Sequence, residues 1–348
     1  MSTPVSTQIQ LAARPQGWPT HDDFRTVRVP LGALEAGHVR VRNEFVSVDP
    51  YMRGRMNDVR SYVAPYQLGE TITGGAIGRV VASEAPELPV GALVLHQHGW
   101  SDLVQDAAST FRAVPDLPGV PSSLRLHILG VTGLTAYVGL TAIAKLQPGE
   151  TVFVSGAAGA VGTAVGQLAK LLGADRVIGS AGSDEKLALL TENYGYDVAF
   201  NYKNGDVRGQ LAQAAPAGID VFFDNVGGDH LEAALDVFND SGRAALCGAI
   251  AGYNTTERAP GPDNLANVIT RALTLKGFTL AAYLQLGAEF QEKIAPWFAE
   301  GKIAYDETIV DGIDHTVDAF LDMMRGANTG KMLVRIPTDT RGEEDAHA

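Results

Sequence analysis

A single cysteine among 348 residues removes several classes of protein at once. No disulfide framework can form, so a secreted disulfide scaffold is excluded and a reducing compartment is expected. Cys247 itself sits in an apolar run, Ala244-Ala-Leu-Cys-Gly-Ala-Ile250, where a buried, inert thiol is expected rather than a nucleophile. Positive charge is also short. The 27 Lys and Arg stand against 40 Asp and Glu, a formal charge of -13 spread through the chain, which argues against nucleic acid or an anionic membrane as the main partner and leaves small molecules. The least charged segment, 128–144, carries several Gly and Thr and falls short of the ~20 apolar residues a membrane span needs, so a buried helix is expected there. The N-terminus, Met1-Ser-Thr-Pro-Val-Ser-Thr-Gln8, lacks the basic start and apolar core of a signal peptide, which points to the cytoplasm. Neither internal repeats nor low-complexity segments are present.

What remains is a globular chain, 45% hydrophobic and 19% charged, long enough for two domains with their own cores. Its organising stretch begins at Thr151. A short apolar, β-branched run (152–154) leads into the small-residue turn Ala157-x-Gly159-x-x-Gly162. An apolar face of Val161, Val165, Leu168, Ala169 and Leu172 then follows at helical spacing. Strand, tight turn and helix in that order make a dinucleotide site. Gly159 lets the backbone approach a pyrophosphate, Gly162 lets the helix pack on its strand, and the helix N-terminus offers free N–H groups to phosphate.

Residues up to about 125 read as short β-runs punctuated by Gly and Pro, as in Gly37-His-Val-Arg-Val-Arg-Asn-Glu-Phe-Val-Ser-Val48. Between them Asp49-Pro-Tyr-Met-Arg-Gly-Arg-Met56 is a turn or short helix and a candidate site loop. From about 128 strands alternate with helices: strands at 152–154, 176–179, 198–202, 219–224, 244–250 and 275–278, with a helix around 186–193. This pattern predicts a parallel sheet with right-handed crossovers. After about 305 strand, helix and strand return (309–310, 317–324, 332–336), and this part is expected to rejoin the first domain. The expected division is therefore 1–127, 128–304 and 305–337, with a polar tail at 338–348 expected to be disordered.

The chain resembles the zinc-independent medium-chain dehydrogenase/reductases, in the branch of prostaglandin, alkenal double-bond and curcumin reductases. The matching stretches run over nearly the whole length. They are Val48-Asp-Pro-Tyr-Met-Arg-Gly-Arg-Met56, Gly133-Leu-Thr-Ala-Tyr137, Ala157-Ala-Gly-Ala-Val-Gly162 with Gly166-Gln-Leu-Ala-Lys170, Gly182-Ser-Asp-Glu-Lys186, Asn201-Tyr202, Asp224-Asn-Val-Gly-Gly228, Cys247-Gly-Ala-Ile-Ala-Gly-Tyr-Asn254 and Asn328-Thr-Gly-Lys331. The resemblance implies an α/β protein: a GroES-like β-rich domain, interrupted by a Rossmann domain with a doubly wound parallel sheet, the active site lying in the cleft between them. It also implies a homodimer.

Cofactor choice is expected at the end of the second Rossmann strand, where NAD enzymes place a carboxylate about 20 residues after the glycine turn. Here Ser180-Ala-Gly-Ser183 stands instead, followed by Lys186, and the resemblance gives Lys186 and Tyr202 the 2′-phosphate of NADPH. The plainer reading of Lys186 is a solvated helix lysine. The resemblance further lays the cofactor along Ala158, Gly159, Ala160 and Val161, along Gly182 and Ser183, and against Asn225, Gly248, Tyr253 and Asn328. A metal is not expected, since the one cysteine lies in the nucleotide domain. His96 and His98 could share a strand face, but they have no evident third ligand and read as surface or loop histidines.

Without a metal, the expected chemistry is reduction of an activated C=C bond in an enone or enal. Hydride at the β-carbon leaves an enolate, and the site then needs a hydrogen-bond donor aimed at oxygen. Tyr253 takes that role by resemblance, with Tyr51 contacting substrate from the other domain. Both could equally be packing tyrosines. Arg53, Arg55 and Arg258 are candidates for an anionic substrate tail, and the segments 57–66 and 255–263 for shaping the pocket. Quinone reduction with NADPH and an NADPH-binding sensor with little turnover are the alternative functions.

Overall fold

The computed structural model describes residues 3–257 and 260–337. Arg258 and the tail 338–348 lie outside the described residues. Six strands form one parallel sheet in the order Val198–Asn201, Arg176–Ala181, Thr151–Val154, Ile219–Asp224, Phe238–Leu246, Thr274–Gly277. The chain starts in the middle and winds outward both ways. A crevice therefore opens at the carboxyl ends of Thr151–Val154 and Ile219–Asp224, where the winding reverses. Val152, Phe153 and Val154 are wholly buried, as strands covered on both faces require.

On one face the helix Ala160–Leu171 buries Ala164, Val165, Leu168 and Ala169. One of its glycines is demanded by an aromatic ring. A Cβ on Gly166 would fall 2.2 Å from Tyr196 Cε2, and the Tyr196 hydroxyl donates to the Gly162 carbonyl at 2.6 Å. On the other face Phe153 and Phe222 stack with centroids 4.9 Å apart.

Two sequence-based boundaries shift. The strand expected at 244–250 is Phe238–Leu246. Asn239-Asp-Ser-Gly242 has turn composition yet lies within the strand, and beyond Leu246 the amides of Cys247 and Gly248 turn to the Asp224 carbonyl (2.8 and 3.0 Å). The helix expected over 128–144 is broken into a 3-10 turn Ser122–Leu126, a helix Val131–Val138 and a π-turn Gly139–Ile143. The break comes where Leu129 and Gly130 return their amides to Leu124 and His127. Contrary to the sequence expectation, Ser122–Ile143 is long and apolar enough to cross a bilayer by length and composition. Its 18-residue apolar window is 67% buried inside the protein. That burial against the parallel sheet accounts for the hydropathy without a membrane.

The second sheet orders its strands Glu307–Asp311, Lys331–Arg335, His38–Ser47, Ala76–Ser83, Leu93–His96, Arg112–Ala113, with Leu103–Ala107 also paired to His38–Ser47. Its first two strands come from the end of the chain, and Leu333 pairs with Ser47. The helix Thr316–Met324 between them shares a core with Ile9, Met52 and Trp100. Where the chain crosses back, Gln167 holds both polar atoms of Ala304 (3.0 and 2.7 Å), and the Tyr194 hydroxyl donates to Asp306.

Candidate active site

The glycine turn contains more glycine than the motif shows. Gly156, immediately before Ala157, takes φ +60, a left-handed value that suits glycine. Ala157 lies wholly buried, its amide bonded to the Ser180 carbonyl at 2.9 Å. A Cβ on Gly162 would sit 2.5 Å from the carbonyl oxygens of Gly156 and Ala157, so its bareness is required by packing. Gly159 differs, because a Cβ there would meet only the Gly156 carbonyl, at 3.4 Å. Packing within the protein does not require its bareness. Ala158, Ala160 and Val161 complete the turn and the first residues of the helix. Gly330 N donates to Ala158 O at 2.9 Å and Gly330 bridges Gly159, which lays the segment 326–331 along the turn.

At the end of Arg176–Ala181, Ser183 caps the helix Asp184–Asn193, its hydroxyl accepting the Lys186 amide at 3.4 Å. Lys186 is not a solvated helix lysine. Its ammonium donates to the carbonyls of Gly326 (2.7 Å) and Asn328 (2.6 Å), leaving one of three donors free. Over Gly182 lie the Tyr202 hydroxyl and the Lys203 side chain, 3.0 and 3.1 Å from where a Cβ would stand. Burial and then the neighbouring Lys203 charge lower the Lys186 pKa. Among the described residues neither lysine has a carboxylate within salt-bridge distance. Two basic side chains thus lie near one another beside the N-terminus of the helix Asp184–Asn193. Sequence reasoning missed Lys203; its signal was a second basic residue directly after Tyr202. Asn328 turns its own amide onto Gly330 O at 2.8 Å.

At the crevice floor Asp224, absent from the sequence-based site, is buried and accepts from Ser155 Oγ (2.7 Å) and from the amides of Val226 and Gly227 (both 2.9 Å). Burial raises its pKa, while these donors oppose the shift. Asn225 is held by Ser155 through its amide (2.9 Å) and Nδ2 (2.8 Å). A Cβ on Gly248 would lie 3.1 Å from Asn225 O and 3.5 Å from the Tyr253 hydroxyl. Cys247, half-buried beside them, has its thiol pushed up to about 12 by burial and then by Asp224. It stays protonated and inert, as the sequence suggested.

Tyr253 follows the 3-10 turn Ile250–Gly252, and its hydroxyl accepts the Ala249 amide at 3.4 Å. Tyr51 opens the short helix Tyr51–Arg55 from the other domain. The two line one cavity of about 120 Å³ with Arg55, Ser61, Tyr62 and Val63. Burial raises the pKa of all three tyrosines, so each is a neutral donor near pH 7. Tyr62 was expected only as part of a pocket-shaping segment. A wider groove of about 450 Å³ lies between Gly218 and Phe238, at the amino edge of the parallel sheet and away from these groups. The smaller cavity is the candidate site because the tyrosines converge there.

Arg53 is corrected. It is 2% exposed and donates to Asn254 Oδ1 (3.0 Å), Asn57 Oδ1 (2.8 Å), Gly17 O (2.8 Å) and Pro15 O (3.4 Å), so it is committed to the protein rather than held out for an anion. Arg55 donates through Nε to Ala64 O (3.0 Å) and through Nη1 to Thr73 O (3.2 Å), its guanidinium 4.0 Å from the Tyr66 ring centroid, and it lines the tyrosine cavity. The Asp49–Tyr51 turn is fastened from below. Buried Lys331 donates to Val48 O (2.8 Å), Asp49 Oδ1 (2.9 Å) and Met332 O (3.0 Å).

His96 is not a surface histidine. It is 4% exposed at the end of Leu93–His96, Nε2 lies 2.8 Å from Asn43 Oδ1, and burial pushes its pKa down to about 3. His98 lies beside it, ring centroids 5.3 Å apart, with Nε2 at 3.0 Å from Thr110 Oγ1.

A doubly wound sheet with a glycine turn at its crevice and a cavity of tyrosines, Tyr253 among them, is the architecture of a nucleotide-dependent oxidoreductase. Residues 7–114 match the family described as the N-terminal domain of oxidoreductase, and residues 160–300 that described as zinc-binding dehydrogenase. YfmJ of Bacillus subtilis is 44% identical over 337 residues, 96% of this chain and 98% of the relative. The NADPH-dependent curcumin reductase of Escherichia coli is 40% identical, over 94% of this chain and 96% of the relative. The crystal structure of CurA from Vibrio vulnificus in complex with NADPH superposes with a TM-score of 0.90 at 37% identity, covering 95% and 99% of the two chains. The chain belongs to the medium-chain dehydrogenase/reductase family, in the branch of the curcumin, prostaglandin and alkenal reductases.

The second family description names zinc, and the residues do not fit it. Among the described residues no three His, Cys, Asp or Glu side chains gather where a metal could be held, and the one thiol is kept protonated. No step is drawn through a metal.

Proposed function

We propose that the chain is an NADPH-dependent reductase of the C=C bond of α,β-unsaturated ketones and aldehydes, working without zinc. The observation that carries this reading is the meeting of Tyr253 and Tyr51 in one cavity, at the carboxyl edge of a sheet whose outer crevice ends at Lys186 and Lys203. The residues fit the cofactor. Ala158, Gly159, Ala160 and Val161 would hold its pyrophosphate, and Gly182, Ser183, Lys186, Tyr202 and Lys203 its 2′-phosphate. Asn225, Gly248 and Asn328 would flank it. When bound, NADPH supplies the hydride to the substrate β-carbon.

The protein's part is electrostatic. As the C=C π pair moves toward the carbonyl, negative charge grows on the substrate oxygen, and the neutral Tyr253 phenol donates a hydrogen bond to it. Tyr51, from the opposite wall, fixes the carbonyl so that the β-carbon faces the cofactor crevice. A proton taken up at the α-carbon completes the saturated ketone or aldehyde. Donors that are already aimed do not have to reorganise as the charge develops, and one of them is worth about 2.7–4 kcal/mol.

The same reading divides the chain at 1–127, 128–304 and 305–337, with the tail 338–348 apart, and places the enzyme in the cytoplasm as a homodimer. The outer strand Thr274–Gly277 has a sheet neighbour on one side only, and Ile269 near it in the chain is 83% exposed, which supports a subunit contact there. Sedimentation equilibrium tests it.

NADPH oxidation against an enone panel and a quinone panel, with mass spectrometry of the products, decides the chemistry. Saturated ketones from the enone panel are expected. Turnover confined to quinones, or NADPH binding with no consumption on either panel, would overturn the proposal.

A further inference from the structure

We propose that Arg53 is a positioning residue for Tyr253. Through Asn254 it fixes the loop carrying Tyr253 to the helix carrying Tyr51, and so sets the width of the cavity between the two tyrosines. The inference rests on the reading of Tyr253 as the enolate donor.

Arg53 stands two residues after Tyr51 on Tyr51–Arg55, and its Nε donates to the side chain of the residue after Tyr253, across 201 positions of sequence. The rest of the guanidinium is anchored on the first domain's side, at Asn57 and at the carbonyls of Pro15 and Gly17. Every acceptor is neutral. An arginine buried for an ion pair would face a carboxylate, whereas this one spends its fork on four fixed points of backbone and amide. The geometry is that of a bracket. Its rigid plane cannot yield at Asn254 without giving up the contacts behind it. The other hydrogen bonds of the loop stay within the nucleotide domain: Tyr253 N to Ile250 O (3.2 Å), Ile250 N to Asn225 O (3.4 Å), Ala251 N to Val226 O (3.1 Å), Ala249 N to the Tyr253 hydroxyl (3.4 Å) and Thr255 Oγ1 to Gly252 O (3.0 Å). Among the described residues the Arg53–Asn254 bond is the hydrogen bond that ties this loop to the helix of Tyr51, where the Tyr253 ring packs on the first domain's core.

A donor displaced by about 1 Å can cost on the order of 10²-fold in rate, so the bracket should be visible in turnover. Asn254→Ala removes the outer contact and leaves Arg53 with its other acceptors, so the fold is kept. It is expected to lower kcat for enone reduction roughly 10-fold or more with the Kd for NADPH unchanged, and to quicken amide hydrogen exchange across 248–256 but not across Ala160–Leu171. Arg53→Lys, which keeps the charge and loses the fork, should reproduce both effects.

Because the bracket acts through Tyr253, Tyr253→Phe with Asn254→Ala should be no slower than Tyr253→Phe alone. Additive losses, or unchanged exchange across 248–256 in Asn254→Ala, would overturn the proposal. If Tyr253→Phe alone turns over like the wild type while Asn254→Ala still quickens exchange, the enolate role of Tyr253 fails and the bracket stands.

Discussion

The two walls of the crevice are built on opposite principles. The cofactor wall is built on backbone, a turn of glycine and alanine and a helix N-terminus, to which Lys186, Tyr202 and Lys203 add side chains. The substrate wall is side chain, with Tyr51 and Tyr62 from one stretch of the chain and Tyr253 from another far along it. Its braces span most of the sequence, Arg53 to Asn254 across 201 positions and Lys331 to Val48 across 283. The first wall rests on a local strand, turn and helix that one distant segment, 326–331, closes through Lys186 and Gly330. The second exists only once the whole chain has folded, so single contacts far from the cavity should govern its chemistry.

The largest effect is expected on the substrate wall itself. Tyr253→Phe deletes the donor and keeps the ring. It should lower kcat by roughly 10² to 10³, the range for one lost oxyanion donor, with a much smaller change in NADPH affinity because the ring expected against the cofactor is kept. Steady-state kinetics on an enone, with cofactor binding followed by fluorescence, checks it. Unaltered turnover would mean that the substrate wall orients without taking part.

Lys331→Met comes next, and it is a stability effect. The ammonium is nearly inaccessible while its partner Asp49 keeps 21% side-chain exposure. Loss of a buried partner costs 3–5 kcal/mol, and the exposed edge of Asp49 places the expectation near the lower end, about 3 kcal/mol. Urea denaturation measures it. Adding Asp49→Asn should recover part of the loss by removing the stranded charge. If the double variant is as unstable as the single, the lysine's two carbonyl contacts hold the turn and the ion pair does not.

On the cofactor wall Lys186→Ala should shrink the preference for NADPH over NADH roughly 10- to 100-fold, the scale of one or two charge-assisted hydrogen bonds. The ratio of kcat/KM for the two cofactors reads it directly. An unchanged ratio would move the 2′-phosphate site wholly onto Lys203 and Tyr202.

The same contrast explains how far the sequence could be read. Strand, turn and helix around Gly159 and the alternation after 128 are periodic signals that local propensity enforces, so the doubly wound sheet was legible. The strand starting at Phe238 was not, because Asn239-Asp-Ser-Gly242 has turn composition and does bulge, Ser241 taking φ +62, between Phe238 and Arg243, which both pair with Ile219–Asp224. Tyr51 and Tyr253 could be named by resemblance, and their meeting is a tertiary fact. Arg53 misled for a physical reason: an arginine in a polar loop reads as a hand held out for an anion, and nothing in its neighbours along the chain reveals that four neutral acceptors enclose it. Lys203 was overlooked because its role depends on Lys186 arriving from another element.

Acid separates the two halves most finely. Three histidines are buried and held neutral. Desolvation lowers His96 in the β-rich half and His127 at the junction to about 3, and His230 beneath Tyr202 to about 4. In the unfolded chain each titrates near the ordinary value of about 6.5. Above that pH neither state is charged and stability owes nothing to them. Below it the unfolded chain takes up protons that the folded protein refuses, so stability falls as pH drops toward each folded value, by up to about 1.4 kcal/mol per pH unit for each histidine. His230→Phe keeps an aromatic ring against Phe153, whose ring plane lies 11° from that of His230, and cannot take a proton. Urea denaturation at pH 7, 6 and 5 should show a shallower acid slope for this variant than for the wild type, with little difference at pH 7. If probes in the two sheets then lose structure at different pH values, the walls are separate cooperative units and the braces between them are weak. If the transitions stay coincident while the slope flattens, the contacts of Arg53 with Asn254, of Lys186 with Gly326 and Asn328, and of Tyr194 with Asp306 bind both walls into one.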